Sequence, residues 1–275
     1  MSPAVPTVAS ERLVFVAGLH RSGTTALART LARHPAVSGF HGTDAKEDEG
    51  QHLQDVYASA RAHGGAGRFA FAPDAHLVES SPLATPDNAA RLLAAWSPHW
   101  DLARHLLLEK SPPNLLMTRF LQALFPASRF VVVVRHPVVV SLSTRRWAGP
   151  GASLSRLLGH WLRAHELFWA DAAHLRRVHV IAYEDLVGDP VATLDGVRAF
   201  LGLDGDIPTD GLDPARSDRY RQEWARLTEG RSPRARLRSA VLHRRFAEPV
   251  AGFGYSLDDL EHVVRLPDVA GAGTS

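Results

Sequence analysis

The sequence predicts an α/β fold in which helices cover both faces of a central, mostly parallel sheet. Four short apolar runs have the length and residue types of buried strands, at 12–17, 105–110, 129–137 and 178–183. Stretches with apolar residues at helical spacing lie between or before them, at 24–35, 112–126 and 154–175. Strands that alternate with helices are typical of a parallel sheet with right-handed crossovers.

The length of 275 residues and an apolar content of 45% predict one domain, 1–275, with a full hydrophobic core. The motifs described below fall within 12–205. The mixed polar stretch 41–80 contains "GGAG" and is predicted to be a loop or lid. A C-terminal helical segment is predicted at 206–265, and a frayed tail at 266–275.

Composition excludes several classes of protein. The chain has no cysteine, so disulfides, thiolate metal sites and cysteine nucleophiles are excluded. The 15 histidines are scattered without ligand spacing, so no metal site is predicted. No stretch reaches the roughly 18 apolar residues of a membrane span, and the N-terminus lacks the pattern of a signal peptide. These features predict a soluble cytoplasmic protein.

The net charge is only +2, which disfavours a nucleic-acid partner. Almost all basic residues are arginines, and the lysines are Lys46 and Lys110. Arginine binds phosphate and sulfate well, but joint enrichment in arginine and alanine is more typical of a GC-rich genome.

The stretch "GLHRSGTT", 18–25, follows the first predicted strand and opens the first predicted helix. Such a turn supplies backbone N–H donors and a positive dipole end to an anion. A nucleotide triphosphatase needs lysine after G-x-x-x-x-G, whereas this chain has Thr24 there. No acidic strand end stands out as a holder of Mg²⁺, since the later apolar strands end in Glu109, Arg135 and Tyr183. The loop therefore predicts a metal-free site for a nucleotide with one short anionic group; an ordinary strand-to-helix turn is the alternative.

A second motif, "RHPVVVSLS", leaves the end of the third predicted strand. Arg135 stands at the carboxyl edge of the sheet, where ligands of open α/β sheets bind. Ser143 lies about two helical turns later, so both side chains could hold one anion.

These motifs resemble those of sulfotransferases that use 3′-phosphoadenosine-5′-phosphosulfate (PAPS). "HRSGTT" resembles the 5′-phosphosulfate loop, and 135–143 resembles the 3′-phosphate motif. "YEDLVGDP" at 183–190 is similar to the Y-E-D-L segment of the family. "EKSPPN" at 109–114 resembles the lysine-containing segment of the tyrosylprotein-type and related bacterial members. The resemblance covers roughly 12–205, with the motifs in the expected order.

The resemblance implies a P-loop-type three-layer α/β/α fold and a nucleotide-binding enzyme that is metal-independent. PAPS would be the donor and PAP, 3′-phosphoadenosine-5′-phosphate, the product. The donor-binding residues implied are Arg21, Ser22, Gly23, Thr24, Thr25, Arg135, Ser143 and, near the adenine, Tyr183. Most members with soluble small-molecule acceptors have lysine where this chain has Arg21. Because arginine does not donate a proton at ordinary pH, the departure implies a purely electrostatic role on the bridging oxygen.

The resemblance also implies a catalytic role for Lys110, which would face the transferring sulfonate. Transfer to a hydroxyl further requires a general base that accepts the proton of the acceptor hydroxyl. In the family this base often follows the first helix, so Glu49 is the first choice. Other candidates in the same stretch remain open: Asp48, Glu47, His41 and His52. The alternative for this acidic run is a helix start, with Thr43 or Asp44 as N-cap and Glu47 and Asp48 in the first turn.

The function predicted is sulfonate transfer from PAPS to a hydroxyl of a small-molecule or glycolipid acceptor. A sugar, a lipid, a natural product and a tyrosyl peptide all remain possible acceptors. In the C-terminal segment, residues 219–224 could close over the cofactor.

Two alternative functions remain for this sequence. One is an atypical P-loop kinase that requires Mg²⁺ and ATP, and the other is a nucleotide-binding protein that has lost catalysis.

Overall fold

The computed structural model describes residues 7–148, 152–228, 232–261 and 263–267. The strands are β1 (Leu13–Ala17), β2 (Val37–Gly39), β3 (Leu106–Lys110), β4 (Arg129–Val134) and β5 (Val178–Ala182). The helices are α1 (Thr24–Ala32), α2 (Pro86–Trp96), α3 (Thr118–Leu124), α4 (Pro137–Ala148), α5 (Leu154–Ala172), α6 (Tyr183–Gly188), α7 (Pro190–Leu201), α8 (Asp218–Thr228) and α9 (Pro233–Ala251).

The strands form one sheet in the order β2-β3-β1-β4-β5, and every described pairing is parallel. The central strand β1 places Val14 beside Leu108 of β3 and Arg129 of β4. All carboxyl ends therefore meet at one edge of the sheet. The sequence did not predict β2, because a three-residue edge strand containing Ser38 and Gly39 has no apolar run.

Two apolar layers enclose the sheet, as the alternation of side chains along β1 requires. Leu13, Phe15 and Ala17 pack in one core cluster with residues of α2, α3, α5 and α9. Val14 and Val16 pack in the other cluster with residues of α1, α6 and α7. The predicted three-layer α/β/α fold is therefore confirmed.

The polar stretch 41–80 contains four short 3₁₀ turns and no α-helix. The alternative of a helix start after Thr43 or Asp44 is therefore wrong. Glu47 and Asp48 have φ angles of 57° and 50°, which a right-handed helix does not allow. Asp48 instead closes a local turn, because its carboxylate accepts from the Thr43 backbone N–H and hydroxyl at 2.7 and 2.8 Å. Whether the stretch moves as a lid stays a prediction.

The C-terminal part packs on the sheet domain through α8 and α9. The indole of Trp169 donates to the carbonyl of Pro267 at 3.2 Å, while 268–275 of the predicted tail lie outside the described residues. Within the described ranges, no helix combines the length and apolar character needed to cross a membrane.

We expect acid to weaken the fold through four buried histidines. Burial lowers the pKa of His20, His136 and His165 to about 4 and that of His160 to about 3. The unfolded chain takes up these protons below pH 6.5 and the folded chain does not, so stability decreases as the pH is lowered, by about 1 kcal/mol per histidine at pH 5.5. Glu109, whose pKa burial raises to about 7, has the opposite effect and offsets about one of them.

Urea unfolding at pH 7.5 and 5.5 measures this difference in the free energy of unfolding, and we expect the protein to be about 3 kcal/mol more stable at pH 7.5. His165→Phe should reduce the difference by about one histidine's share. The matched variant His105→Gln should not change it, because His105 is exposed. Equal stability of the wild type at both pH values would contradict the prediction.

Candidate active site

The loop after β1 is shaped by two glycines. A Cβ atom on Gly18 would lie 2.5 Å from the carbonyl oxygen of Val133, and one on Gly23 would lie 2.4 Å from the ring of Tyr183. Gly23, with φ of 109°, is the N-cap of α1, and it has no side chain to occupy the first-turn N–H groups. These donors, together with the helix dipole, lie at the carboxyl edge of the sheet and are suited to an anion. The Ser22 hydroxyl oxygen is buried there without a hydrogen-bond partner among the described residues.

Arg135 is buried at the end of β4. Its guanidinium donates to the backbone carbonyl of Arg21 at 3.1 Å and to the hydroxyl of Ser217 at 2.7 Å. It also stacks 3.9 Å above the ring of Tyr183, and its buried Nε–H has no partner within the described structure. A buried guanidinium with an unused N–H is suited to an anion in the adjoining space.

Ser143, on α4, contacts the loop after β1 and the C-terminal helix α8. Its hydroxyl oxygen accepts from Arg21 Nε and from the Tyr220 hydroxyl, each at 2.9 Å. Burial opposes ionisation of Tyr220, but its hydrogen bonds with Ser143 and Arg219 outweigh burial and lower its pKa. Because Ser143 uses its oxygen as acceptor twice, its own hydroxyl proton is left for a ligand.

A cavity of about 570 Å³, which we call the anion cavity, is bordered by Arg21, Gly23, Arg135 and Tyr183 among others. Its lining includes two acidic residues and five arginines, namely Arg21, Arg29, Arg33, Arg135 and Arg216. Asp210, one of the two acids, is already paired with Arg33. The cavity therefore has the charge to bind a ligand with more than one anionic group.

Three of these arginines and Ser217 were not predicted from the sequence. Arg29 and Arg33 follow Thr25 at steps of four, so the helical spacing of α1 could have placed them on the face with the loop. Arg216 and Ser217 come from a 3₁₀ turn more than eighty residues beyond β4. No local pattern marks them.

On the other side of the loop, Lys110 and Glu49 form a buried ion pair at 3.2 Å. Lys110, at the end of β3, also donates to the backbone carbonyl of Glu47 at 2.8 Å and to the Thr25 hydroxyl at 3.3 Å. This lysine thus joins the strand end, the first turn of α1 and the segment that carries the candidate bases.

Glu49 lines a second cavity of about 620 Å³, which we call the Glu49 cavity. It shares four lining residues with the anion cavity: Arg21, Thr24, Thr25 and Glu47. Trp147 stands at its border, 60% exposed, with Arg21 and Lys46 each 5.2 Å from its ring centroid. His20 also lines this cavity, and burial lowers its pKa to about 4, so its imidazole is neutral at physiological pH.

The other candidate bases have different positions. Asp48 and His41 line a third cavity of about 670 Å³, along the flank of α1. Burial raises the pKa of Asp48, but hydrogen bonds from Thr43 outweigh burial and lower it, which makes Asp48 a weaker base. His52 lies 3.8 Å from Glu49 and lines the Glu49 cavity. Glu47 borders all three cavities.

The structure thus brings six of the eight predicted donor-binding residues to one cavity, whereas Ser22 and Ser143 do not line it. Glu49 lines the adjoining Glu49 cavity, and Lys110 contacts Thr25, which lines both cavities. The roles of these residues in binding and catalysis remain predictions.

Trp161 of α5 belongs to the hydrophobic core and not to the site. It is fully buried, and its indole donates to the backbone carbonyl of Arg135. Across the described ranges, no group of three or more His, Asp or Glu side chains is arranged to hold a metal ion.

Comparison with known proteins gives a family match. The model of the sulfotransferase family matches residues 14–207. The protein-tyrosine sulfotransferase 2 of Gallus gallus is 29% identical over 198 residues, which cover 70% of this chain and 51% of that protein. The chain therefore spans about half the length of this curated relative.

Solved sulfotransferase structures share the fold. One from Mycobacterium avium has a TM-score of 0.52 at 16% identity, covering 90% of this chain and 78% of that one. Another, from Mycobacterium tuberculosis H37Rv, has a TM-score of 0.50 at 21% identity, covering 88% of this chain and 76% of that one. Because the family match extends over most of the sheet domain, this chain belongs to the sulfotransferase family.

Proposed function

We propose that this protein transfers a sulfonate group from PAPS to a hydroxyl group of an acceptor. The observation that carries the proposal is the shared border of two cavities. The anion cavity, with its five arginines, meets the Glu49 cavity at Arg21, Thr24 and Thr25. A donor anion held on one side and an acceptor hydroxyl held on the other would meet at this border.

The residues around the anion cavity fit the charges of the donor. The first-turn N–H groups of α1 and the side chains of Arg21 and Ser22 would hold the 5′-phosphosulfate. Arg135 and Ser143 would hold the 3′-phosphate through charge-assisted hydrogen bonds. The unpartnered polar atoms of Ser22 and Arg135 support this fit. Because Tyr220 reaches Ser143, we propose that the C-terminal segment 206–265 belongs to the same functional domain.

In the reaction, the acceptor oxygen bonds to sulfur as the bond between sulfur and the phosphate oxygen breaks. Glu49 would accept the proton of the acceptor hydroxyl. Arg21 and Lys110 would stabilise the negative charge that develops at the border of the cavities. Neither needs to move a proton, which agrees with the arginine in place of the more usual lysine.

The Glu49 cavity supports a small-molecule acceptor. Its volume of about 620 Å³ suits a small molecule, and the exposed ring of Trp147 offers a flat surface to a phenol or a sugar. The name of the Gallus gallus relative adds tyrosyl hydroxyls to the candidates. A glycolipid headgroup would place its polar part in the same space.

Calorimetric titration with PAP tests the proposal, with ATP plus Mg²⁺ as the comparison. We expect PAP to bind without metal and more tightly than Mg-ATP. Preference for Mg-ATP would favour the atypical kinase instead. Release of PAP from PAPS, followed by chromatography, then separates an active enzyme from a nucleotide-binding protein that has lost catalysis.

A further inference from the structure

A buried carboxylate lies directly beneath the segment that carries Glu49. Glu109, the fourth residue of β3, is 1% exposed. Its carboxylate accepts from the backbone N–H of Gly50 at 3.0 Å and from the side chains of Ser111 and Asn114. It lines none of the three cavities described above. The three donors occupy most of the acceptor sites of this buried carboxylate, and one of them belongs to the segment that carries Glu49.

The same segment is held at several other atoms. The carbonyl of Gly50 accepts from the indole of Trp96 at 3.1 Å. The N–H of Gln51 donates to the Ser111 hydroxyl at 2.9 Å. The Gln51 side chain donates to Glu49 at 2.5 Å and accepts from the N–H of Ala60 at 2.9 Å. The three residues Glu49, Gly50 and Gln51 are therefore held at the backbone and at the side chain.

Two neighbouring strand residues hold this segment from opposite sides. Side chains alternate along a strand, so Glu109 and Lys110 point to different faces of β3. Lys110 contacts Glu49 itself, whereas Glu109 contacts the next residue, Gly50. The approach is close: a Cβ atom on Gly50 would lie 2.5 Å from the Glu109 carboxylate.

We propose that Glu109 is a positioning residue that sets the place of Glu49 through the Gly50 N–H and the Ser111 hydroxyl. The inference rests on the proposed function, because it assigns to Glu109 the orientation of the general base. Glu109 itself touches neither donor nor acceptor. A carboxylate suits this role because its two oxygens accept all three donors at once, which a glutamine cannot do.

The test is Glu109→Gln at pH 8, where the carboxylate of the wild type is ionised. One measurement is hydrogen exchange of the Gly50 and Gln51 amides, which we expect to be about tenfold faster in the variant, since a charge-assisted bond is lost. The other is release of PAP from PAPS with water as acceptor. There the water oxygen bonds to sulfur, the sulfur–phosphate oxygen bond breaks, sulfate and PAP leave, and Glu49 takes the water proton.

We expect kcat of this reaction to fall by about 10–100-fold, because a small misplacement of a catalytic group has an effect of this size. The KM for PAPS and the Kd for PAP should stay within about twofold of the wild-type values, since Glu109 does not line the anion cavity. Ser111→Ala, which removes the acceptor of the Gln51 N–H, should give a smaller effect of the same kind and serves if the glutamine variant fails to fold.

Asp171→Asn is the matched control. Asp171 is a buried carboxylate paired with His76 and Arg119, and it lines neither active-site cavity. The Asp171→Asn variant should be less stable than the wild type, with unchanged kcat and unchanged hydrogen exchange of the Gly50 amide. Wild-type exchange and kcat in Glu109→Gln, or an equal loss of kcat in Asp171→Asn, would overturn the inference alone. A wild type that neither binds PAP nor consumes PAPS would overturn the proposed function, and the inference with it.

Discussion

Replacing Glu49 with glutamine is expected to lower turnover by about 10²–10⁴-fold, the usual contribution of a positioned general base. Glutamine keeps the shape of the side chain and its contact with Gln51, but it does not accept a proton. Binding of PAP should change little, because Glu49 lines the Glu49 cavity and not the anion cavity. Turnover is measured as PAP release from PAPS, and binding by calorimetry.

The controls must separate lost chemistry from lost stability. Glu49→Gln leaves Lys110 buried without its ionic partner, which is destabilising. The double variant Glu49→Gln with Lys110→Met removes both charges and should recover stability but not turnover. Asp48→Asn and His41→Gln change residues of the third cavity and should keep most of the activity. Loss of turnover in Asp48→Asn, with full turnover in Glu49→Gln, would assign the base to Asp48.

Replacing Arg135 with alanine is expected to weaken PAP binding by about 100-fold or more. Hydrogen bonds to charged groups contribute about 1.5–3 kcal/mol each, and about 1.4 kcal/mol corresponds to a factor of ten in affinity. The variant also removes the donors to the Arg21 carbonyl and to Ser217, so both the loop and the C-terminal turn lose a contact. Calorimetric titration with PAP measures the loss.

Arg135→Lys is the matched variant, because it keeps the charge but loses the planar fork and the stacking on Tyr183. We expect it to recover only part of the affinity. Arg12→Ala is a control for arginine loss away from the site, since Arg12 binds backbone carbonyls of Leu102 and Arg104. Wild-type affinity in Arg135→Ala would show that PAP does not use the anion cavity.

The sequence predicts the position of a site residue where a local motif can be combined with the geometry of a parallel sheet. Arg21 and Arg135 follow two different strands, β1 and β4, and these strands pair in parallel. Their carboxyl ends therefore share an edge, so the two motifs had to meet once the sheet was predicted. Ser143 follows from the helix that begins at Pro137, because eight residues are about two turns.

Other parts of the site could not be predicted because they depend on contacts between distant segments. The segment that carries Glu49 is irregular, and its path is set by Glu109, Trp96 and Ser111, none of which lies near it in the sequence. Helix capping rules suggested a helix there, whereas Thr43 and Asp48 form a turn instead. Ser217 reaches Arg135 only through tertiary packing.

The ammonium group of Lys110 has three hydrogens, and in this structure each has an acceptor: Thr25, the Glu47 carbonyl and Glu49. Any bond from Lys110 to an incoming anion must therefore replace one of these three. If Glu49 is the acceptor released, its Oε1 atom loses the Lys110 hydrogen as the donor arrives, while its Oε2 atom keeps the bond from Gln51. Occupancy of the donor site and the ion pair between Lys110 and Glu49 are then thermodynamically linked, and by reciprocity the state of this ion pair changes the affinity for the donor.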